Sequence, residues 1–278
     1  MTLSISDQLA ETAAAFDSVA PTYDGPQGNN PLIQRMRDIV WQRIEGLLKG
    51  QSTLIDIGCG TGIDAQHFAQ LGHHVFATDW SPEMVERAGA RANCEPGQIT
   101  ALRVGAQEFD RLASEFKLGP DTIDLSYSNF GPLNCVPDLG HTAASLAAIT
   151  RPGGYAVFTV IGRYCPWEVA HYVRKRRFTR AKVRFEREST PVGMNGHTIW
   201  TRYFTPREFA REWIGDADQW QVEYYESLSL FVPPPYLDKV GEKFPKVFAR
   251  LVSLDFVTAR WPLFRGMGDH FMLVMRRR

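Results

Sequence analysis

The sequence predicts an α/β fold: a doubly wound, mostly parallel sheet with helices on both faces. Two observations carry this reading. Short apolar segments alternate with amphipathic stretches through the first 160 residues, which is the pattern of a parallel sheet whose crossovers are helices. One of those segments closes on an acid and three alternate glycines, LIDIGCGTGID from Leu54 to Asp64. Such a turn between strand and helix lets the backbone approach a ligand closely.

The elements follow in order. NPLIQRMRDIVWQRIEGLL places Leu32, Ile33, Met36, Ile39, Val40 and Ile44 at helical spacing, an amphipathic cap helix. STLIDIG reads as the first strand, and IDAQHFAQLG as a helix ending at Gly72. HHVFATD is the second strand and SPEMVERAGARA the next helix, with Ser81 as N-cap and Pro82 in its first turn. QITALRVG is a third strand, followed by a helical patch near EFDRLASEF. DTIDLSYSN is the fourth strand, PDLGHTAASLAAIT its helix, and RPGGYAVFTVIG a turn and the fifth strand. From about Tyr164 to Thr198 the chain turns basic and aromatic. HTIWTRYF then reads as a strand, TPREFAREWI as a helix capped by Thr205, and QVEYYESLSLFV as another strand. PPPYLDKVGEKFPKVFARLVSLDF opens on prolines and continues in helices, and GDHFMLVMRRR is a last, antiparallel strand. Without an internal repeat or low-complexity linker, the expectation is a single domain over 1–278. Its parts are a helical cap (1–50), a binding core (51–162), a cover with the sixth-strand region (163–230), and a helical insert with the last strand (231–278).

Composition narrows the function. The 278 residues carry 31 basic and 31 acidic side chains, so no global field draws the chain to nucleic acid or membrane. Cys59, Cys94, Cys135 and Cys165 lie far apart with no CxxC pair, which argues against zinc and a disulfide framework, fits a reducing compartment, and leaves no metal expected. The N-terminus has neither a basic start nor an apolar core of a signal peptide, and no apolar run reaches membrane-spanning length. A cytoplasmic protein is the expectation.

The glycine turn selects among ligands. A dinucleotide site would read GxGxxG with a pyrophosphate on the helix N-terminus. Here Gly58, Gly60 and Gly62 are followed by Ile63, and Asp56 precedes them. A carboxylate pointing into the turn repels phosphate and suits a cation. Asp79 ends the second strand, where it could accept hydrogen bonds from a ribose diol. A nucleoside with a positive group and no phosphates fits.

LIDIGCGTG followed by FATDWSPEMVERA resembles the nucleotide-binding half of class I S-adenosylmethionine-dependent methyltransferases, which implies a Rossmann-like sheet. FDSVAPTYD, SNFGPLNCVPDL and RPGGYAVFTV resemble signatures of the ubiquinone/menaquinone-methyltransferase-like, small-molecule branch. The resemblance spans about residues 16 to 161. It implies that Gly58, Gly60 and Gly62, with Cys59 and Thr61 between them, lie under the methionine part of S-adenosyl-L-methionine. It further implies that Asp56 orients the amino group, Asp79 holds the ribose, and Trp80 and Met84 lie along the adenine. Tyr23 closes over the cofactor, and Ser128 and Asn129 sit beside the sulfonium. Where relatives place an acid after the third strand, this chain has Ala106, with Gln107 or Glu108 as substitutes for the adenine contact.

The implied reaction is in-line methyl transfer to a small, apolar or aromatic acceptor through oxygen, nitrogen or carbon. Candidate bases are Glu168 and His171, three apart in CPWEVAHYV, with His141 and His197 as further candidates. Tyr164, Trp167, Tyr172, Phe178, Trp200, Tyr203 and Phe204 are expected to supply pocket walls as well as core. The segment Arg174 to Arg187 holds eight basic residues and one acid. It reads as a solvated helix face, with a carrier protein or an anionic membrane as alternative partners. A protein or nucleic-acid methyltransferase, and a non-catalytic binding protein on the same fold, are the competing functions. PPPY near Pro233 reads as a rigid turn, not as the NPPY motif that belongs after the fourth strand.

Overall fold

The computed structural model describes residues 3–26, 28–92, 96–237 and 243–278. The strands of its main sheet are β1 (Thr53–Ile57), β2 (His74–Asp79), β3 (Gln98–Arg103), β4 (Ile123–Ser128) and β5 (Thr150–Ile161). After a separate hairpin, β6 (Thr190–Met194) with β7 (His197–Thr201), come β8 (Trp220–Leu228) and β9 (His270–Arg277). The sheet order is β3-β2-β1-β4-β5-β9-β8. Strands β1 to β5 pair in parallel, and β9 runs antiparallel between β5 and β8. This is the Rossmann-like, doubly wound sheet expected from the sequence, antiparallel last strand included.

Side chains alternate across the sheet, so each strand feeds two cores. Ile55 and Ile57 enter one core and Leu54 the other; Phe158 and Val157 divide likewise, as do Leu273 and Val274. The first core is closed by α6 (Leu139–Ile149) through Leu146 and by α9 (Pro206–Ile214) through Phe209 and Trp213. The second is closed by α2 (Pro31–Glu45) through Met36, Val40 and Ile44, and by α3 (Ile63–Gln70) through Phe68. The cap helix therefore buries the stripe its periodicity announces. Each such apolar side chain contributes roughly 1.5–3 kcal/mol on burial. Helix α4 (Pro82–Ala90), capped by Ser81 as expected, packs on β3 and β2, and the short α5 (Asp110–Ser114) lies against α6. Thr205 closes a reciprocal cap with Glu208 at the start of α9.

The structure departs from the sequence reading in two places, and both bear on the site. Within the expected helical cap (1–50) a separate helix, α1 (Ile5–Val19), precedes α2, its first turn closed by Ser4 and Asp7. HTIWTRYF supplies β7, which pairs with β6 and not with the main sheet. The hairpin turns on Asn195 and Gly196, with φ of 48° and 81°, the left-handed pair that matches strand twist in a two-residue loop. Upstream of the hairpin, α7 (Pro166–Arg174) and α8 (Phe178–Ala181) carry much of the basic segment. Pro235–Leu237 is a tight 3₁₀ turn, as the PPPY reading holds. Helix α10 (Pro245–Thr258) follows. Residues 238–242 of the expected helical run, and Cys94, lie outside the described residues.

Candidate functional site

Strand order reverses between β1 and β4, and a cavity of about 270 Å³ lies at the carboxyl ends of the strands there. Its floor is the glycine turn. Gly58, Gly60 and Gly62 all have positive φ, 69°, 53° and 82°, a conformation that costs other residues dearly. A Cβ on Gly58 would stand 2.3 Å from Cβ of Pro132, and one on Gly62 would stand 2.9 Å from Ala88. Gly62 thus serves the packing of α3 on α4, whereas Gly58 and Gly60 line the cavity. The N–H groups of Gly58 and Cys59 both donate to the Thr78 carbonyl, at 2.8 and 2.9 Å, tying the turn to β2.

Asp79 ends β2 on the cavity wall. One carboxylate oxygen accepts the Gly60 N–H and the other the Ser81 N–H, each at 2.9 Å. Burial pushes its carboxyl up to about 6, and the backbone N–H groups only partly offset this. Trp80 and Met84 line the cavity beside it, with Ala106 and Gln107 from the end of β3. The Gln107 Nε2 is buried without a hydrogen-bond partner, while Glu108 pairs with Arg111 at 3.0 Å. Of the two substitutes for the missing acid, the structure turns Gln107 to the cavity.

From β4, Asn129 lines the cavity and is 6 % exposed, with both its amide nitrogen and oxygen unpartnered. Buried polar atoms of this kind are costly unless something completes them. Phe130 follows at φ 63°, held there by its N–H to the Thr159 hydroxyl at 2.6 Å. Ser128 does not reach the cavity; it is fully buried and donates to the Ile57 carbonyl at 2.8 Å, stitching β4 to β1. Asn134 joins three segments: its amide donates to the carbonyls of Ile161 and Arg202, and its oxygen accepts the Ile161 N–H.

The upper wall comes from α1, for which the sequence reading supplies no separate helix, and from the β6–β7 hairpin, of which it supplies only the second strand. Leu9, Thr12, Ala13 and Phe16 of α1 face Met194 of β6 and Ile199 and Thr201 of β7. The Trp200 indole donates to Glu11 at 2.7 Å and its backbone N–H to the Thr12 hydroxyl at 3.2 Å. At the other end of α1, Asp17 accepts from the Ser81 hydroxyl. The Ser4–Asp7 capping pattern and the Asn195–Gly196 dipeptide were the available signals for these elements. Tyr23, expected to close over the cofactor, lines the cavity near Gly60.

Asp56 lies beneath the turn and is 1 % exposed, with one oxygen unpartnered. Burial, then the nearby Asp64, pushes its carboxyl well above the usual range. Asp64 itself pairs with Arg37 and accepts from Trp41, both at 2.6 Å. Cys59 and Thr61 also face away from the cavity lining. Cys59 is a buried thiol pushed well up by burial, and the Thr61 hydroxyl donates to Asp24.

Glu168 and His171 are not among the residues that line the cavity. Glu168 accepts from Arg184 at 2.6 Å. Arg184 also pairs with Asp269 at 2.7 Å and donates to the carbonyls of Gly162 and Asp269. The Glu168 carboxylate is thus committed to a structural network. His141 stands 3.8 Å from Asp110, and His197 is exposed in the hairpin; neither lines the cavity. The expected aromatic wall is also elsewhere: Tyr203 and Phe204 are core, Trp167 donates to the Phe231 carbonyl, and Tyr164 and Phe178 are exposed. Seven of the eight basic residues from 174 to 187 are exposed and Arg184 is buried, so the segment is not a uniformly solvated face.

The family described as "Methyltransferase domain" matches residues 30–217, more than half of the chain. A malonyl-[acyl-carrier protein] O-methyltransferase of Erwinia billingiae is 32 % identical over 152 residues, 54 % of this chain and 53 % of that protein. A ubiquinone biosynthesis O-methyltransferase of Alkalilimnicola ehrlichii is 26 % identical over 215 residues, 74 % of this chain and 76 % of that protein. The chain spans about half the length of most of the curated relatives it matches. Among solved structures, the Burkholderia thailandensis 1,6-didemethyltoxoflavin-N1-methyltransferase aligns with a TM-score of 0.57 at 15 % identity, covering 100 % of this chain and 92 % of that one. That likeness is one of fold.

Proposed function

Because the chain belongs to the methyltransferase-domain family, we propose that it transfers a methyl group from S-adenosylmethionine to a small, neutral, apolar or aromatic metabolite. The observation that carries this reading is the division of the cavity. Its floor holds the positive-φ glycines and Asp79, while its upper wall is Leu9, Ala13, Phe16, Met194 and Ile199. The unpartnered atoms of Asn129 and Gln107 fit a cofactor that brings donors and acceptors of its own. The bound cofactor would supply an electrophilic methyl group on a sulfonium.

The chain's own contribution is binding and alignment. Asp79 keeps lone pairs for a ribose diol, Gly58 and Gly60 leave room for close approach, and Trp80, Met84 and Gln107 border the adenine side. Alignment of two reactants can be worth about 7–11 kcal/mol in ideal cases.

No base is assigned. Among the described residues, the ionisable groups lining the cavity are Asp79, Tyr23 and Cys135. Burial raises the Tyr23 hydroxyl and pushes the Cys135 thiol up to about 11. The tyrosine and the thiol hold their protons at neutral pH, and Asp79, though largely ionised there, is engaged by the Gly60 and Ser81 N–H groups, which favours an acceptor that attacks without help from a side-chain base. The absence of Arg, Lys and His among the described lining residues weighs against a second reading, a malonyl group on a carrier protein, whose free carboxylate asks for a cation.

The test is incubation with methyl-labelled cofactor and two acceptor sets, neutral aromatic compounds and a malonyl thioester, read by mass spectrometry. Labelled methyl on an aromatic compound is expected. Label on the malonyl thioester alone overturns the acceptor class, and failure to bind the cofactor at millimolar concentration overturns the donor.

A further inference from the structure

Away from the cavity, residues 243–265 form a second surface with its own chemistry. Phe244, Val247, Phe256, Val257, Trp261 and Leu263 are each more than half exposed, Phe256 at 71 % and Leu263 at 73 %. Along α10, Val247, Arg250, Leu254 and Val257 recur at i, i+3, i+7 and i+10, one face of the helix. Exposed apolar groups in this number mark an interaction site.

Charge on this stretch has one sign outward. Lys243, Lys246, Arg250, Arg260 and Arg265 face a single acid, Asp255. Asp255 is 8 % exposed, and its carboxylate accepts the N–H groups of Leu230, Phe231 and Val232 at 3.1, 2.7 and 3.0 Å. Arg260 is balanced by Glu226 at 2.6 Å. Beside Leu263 opens a pocket of about 510 Å³ lined by Arg207, Arg265, Thr205 and Tyr164, with no acid among its described lining residues. Arg265 lies over the Tyr225 ring at 4.5 Å, and its Nε has no hydrogen-bond partner. The exposed Tyr164 ring meets Phe185 at 6.0 Å, which joins this pocket to the basic segment.

We propose that this face docks on an anionic phospholipid surface. The apolar side chains of α10 and the following turn enter the interface, and the Arg207–Arg265 pocket takes a lipid phosphate. Large exposed rings beside cations suit a bilayer surface, where apolar area and attraction to anionic headgroups add. A second copy of the chain is a poorer occupant: a two-fold contact would oppose like charges, with no exposed acid among residues 243–265 to relieve them. No described helix is long and apolar enough to cross a membrane, so the attachment is to the surface.

The full chain is sedimented with vesicles of pure phosphatidylcholine, and with vesicles of equal parts phosphatidylcholine and phosphatidylglycerol. Binding is expected to the mixed vesicles only and to weaken in salt. Trp261→Ser with Leu263→Ser, and separately Arg207→Gln with Arg265→Gln, should each weaken it by about tenfold or more. The fold, by circular dichroism, and cofactor affinity should stay unchanged. No binding by the parent chain, equal binding to pure phosphatidylcholine, or unaltered binding by both double variants overturns the proposal. So does a dimer in analytical ultracentrifugation that the Trp261/Leu263 pair abolishes while vesicles are ignored; that result would make the face a protein interface.

Discussion

Lowering the pH from 7 to 5 should weaken cofactor binding through Asp79. Burial raises this carboxyl to about 6 in the free protein. A ribose diol donates to the ionised form, so binding pulls the group back to carboxylate. The apparent dissociation constant then scales as one plus the ratio of protonated to ionised Asp79. That ratio is about 0.1 at pH 7 and about 10 at pH 5, so affinity falls about tenfold, or about 1.4 kcal/mol. The cofactor's own amino and carboxyl groups stay charged across this window. The assay is isothermal titration calorimetry with S-adenosylhomocysteine, which lacks the labile sulfonium. Asp79→Asn should bind more weakly by about 1–3 kcal/mol, because the amide accepts fewer hydrogen bonds, and its affinity should not change with pH. A flat profile for the parent chain, or an Asn variant that keeps the slope, refutes the assignment of Asp79 to the ribose. For the free protein the sign is opposite. The folded state holds a proton that the unfolded state has released between about pH 4 and 6, so Asp79 makes the apo protein less stable as pH rises through that window.

Three other expectations follow from the geometry. Gly58→Ala would force a Cβ to 2.3 Å from Pro132 at a φ of 69°, costing roughly 1–3 kcal/mol of stability and abolishing cofactor binding; thermal unfolding and calorimetry read both. Trp200→Phe removes the indole donor to Glu11, worth roughly 1.5–3 kcal/mol for a charged acceptor, and should raise hydrogen exchange across α1 while leaving the central sheet protected. Glu168→Gln should retain methyl transfer, because Glu168 serves Arg184 and not the cavity, whereas Arg184→Met should destabilise by roughly 3–5 kcal/mol by stranding Asp269. Burial acts to raise Asp269, but Arg184 and His270 outweigh it and hold the carboxyl below its usual value. That stability is therefore present above about pH 4 and lost as pH falls; acid unfolding monitored by fluorescence would show a milder acid dependence in the Arg184 variant.

The sequence by itself determined what depends on local pattern. The strand–turn–helix around LIDIGCGTGID needs glycines at positive φ, and Gly58, Gly60 and Gly62 supply them. Asp79 at the end of its strand, Ser81 as a cap and the stripe of α2 follow from spacing alone. Only tertiary structure decided which side chains meet in the cavity. Asp56 and Ser128 lie in the right motifs, yet strand alternation and register turn them inward, one under the glycine turn and one against β1. Glu168 follows the fifth strand, where a base is expected, but a buried arginine 16 residues later claims it. The upper wall pairs α1 with a hairpin some 180 residues away, Trp200 with Glu11. Contacts of that separation leave no periodicity in either segment, so the substrate side of the site becomes visible only once the chain has closed on itself.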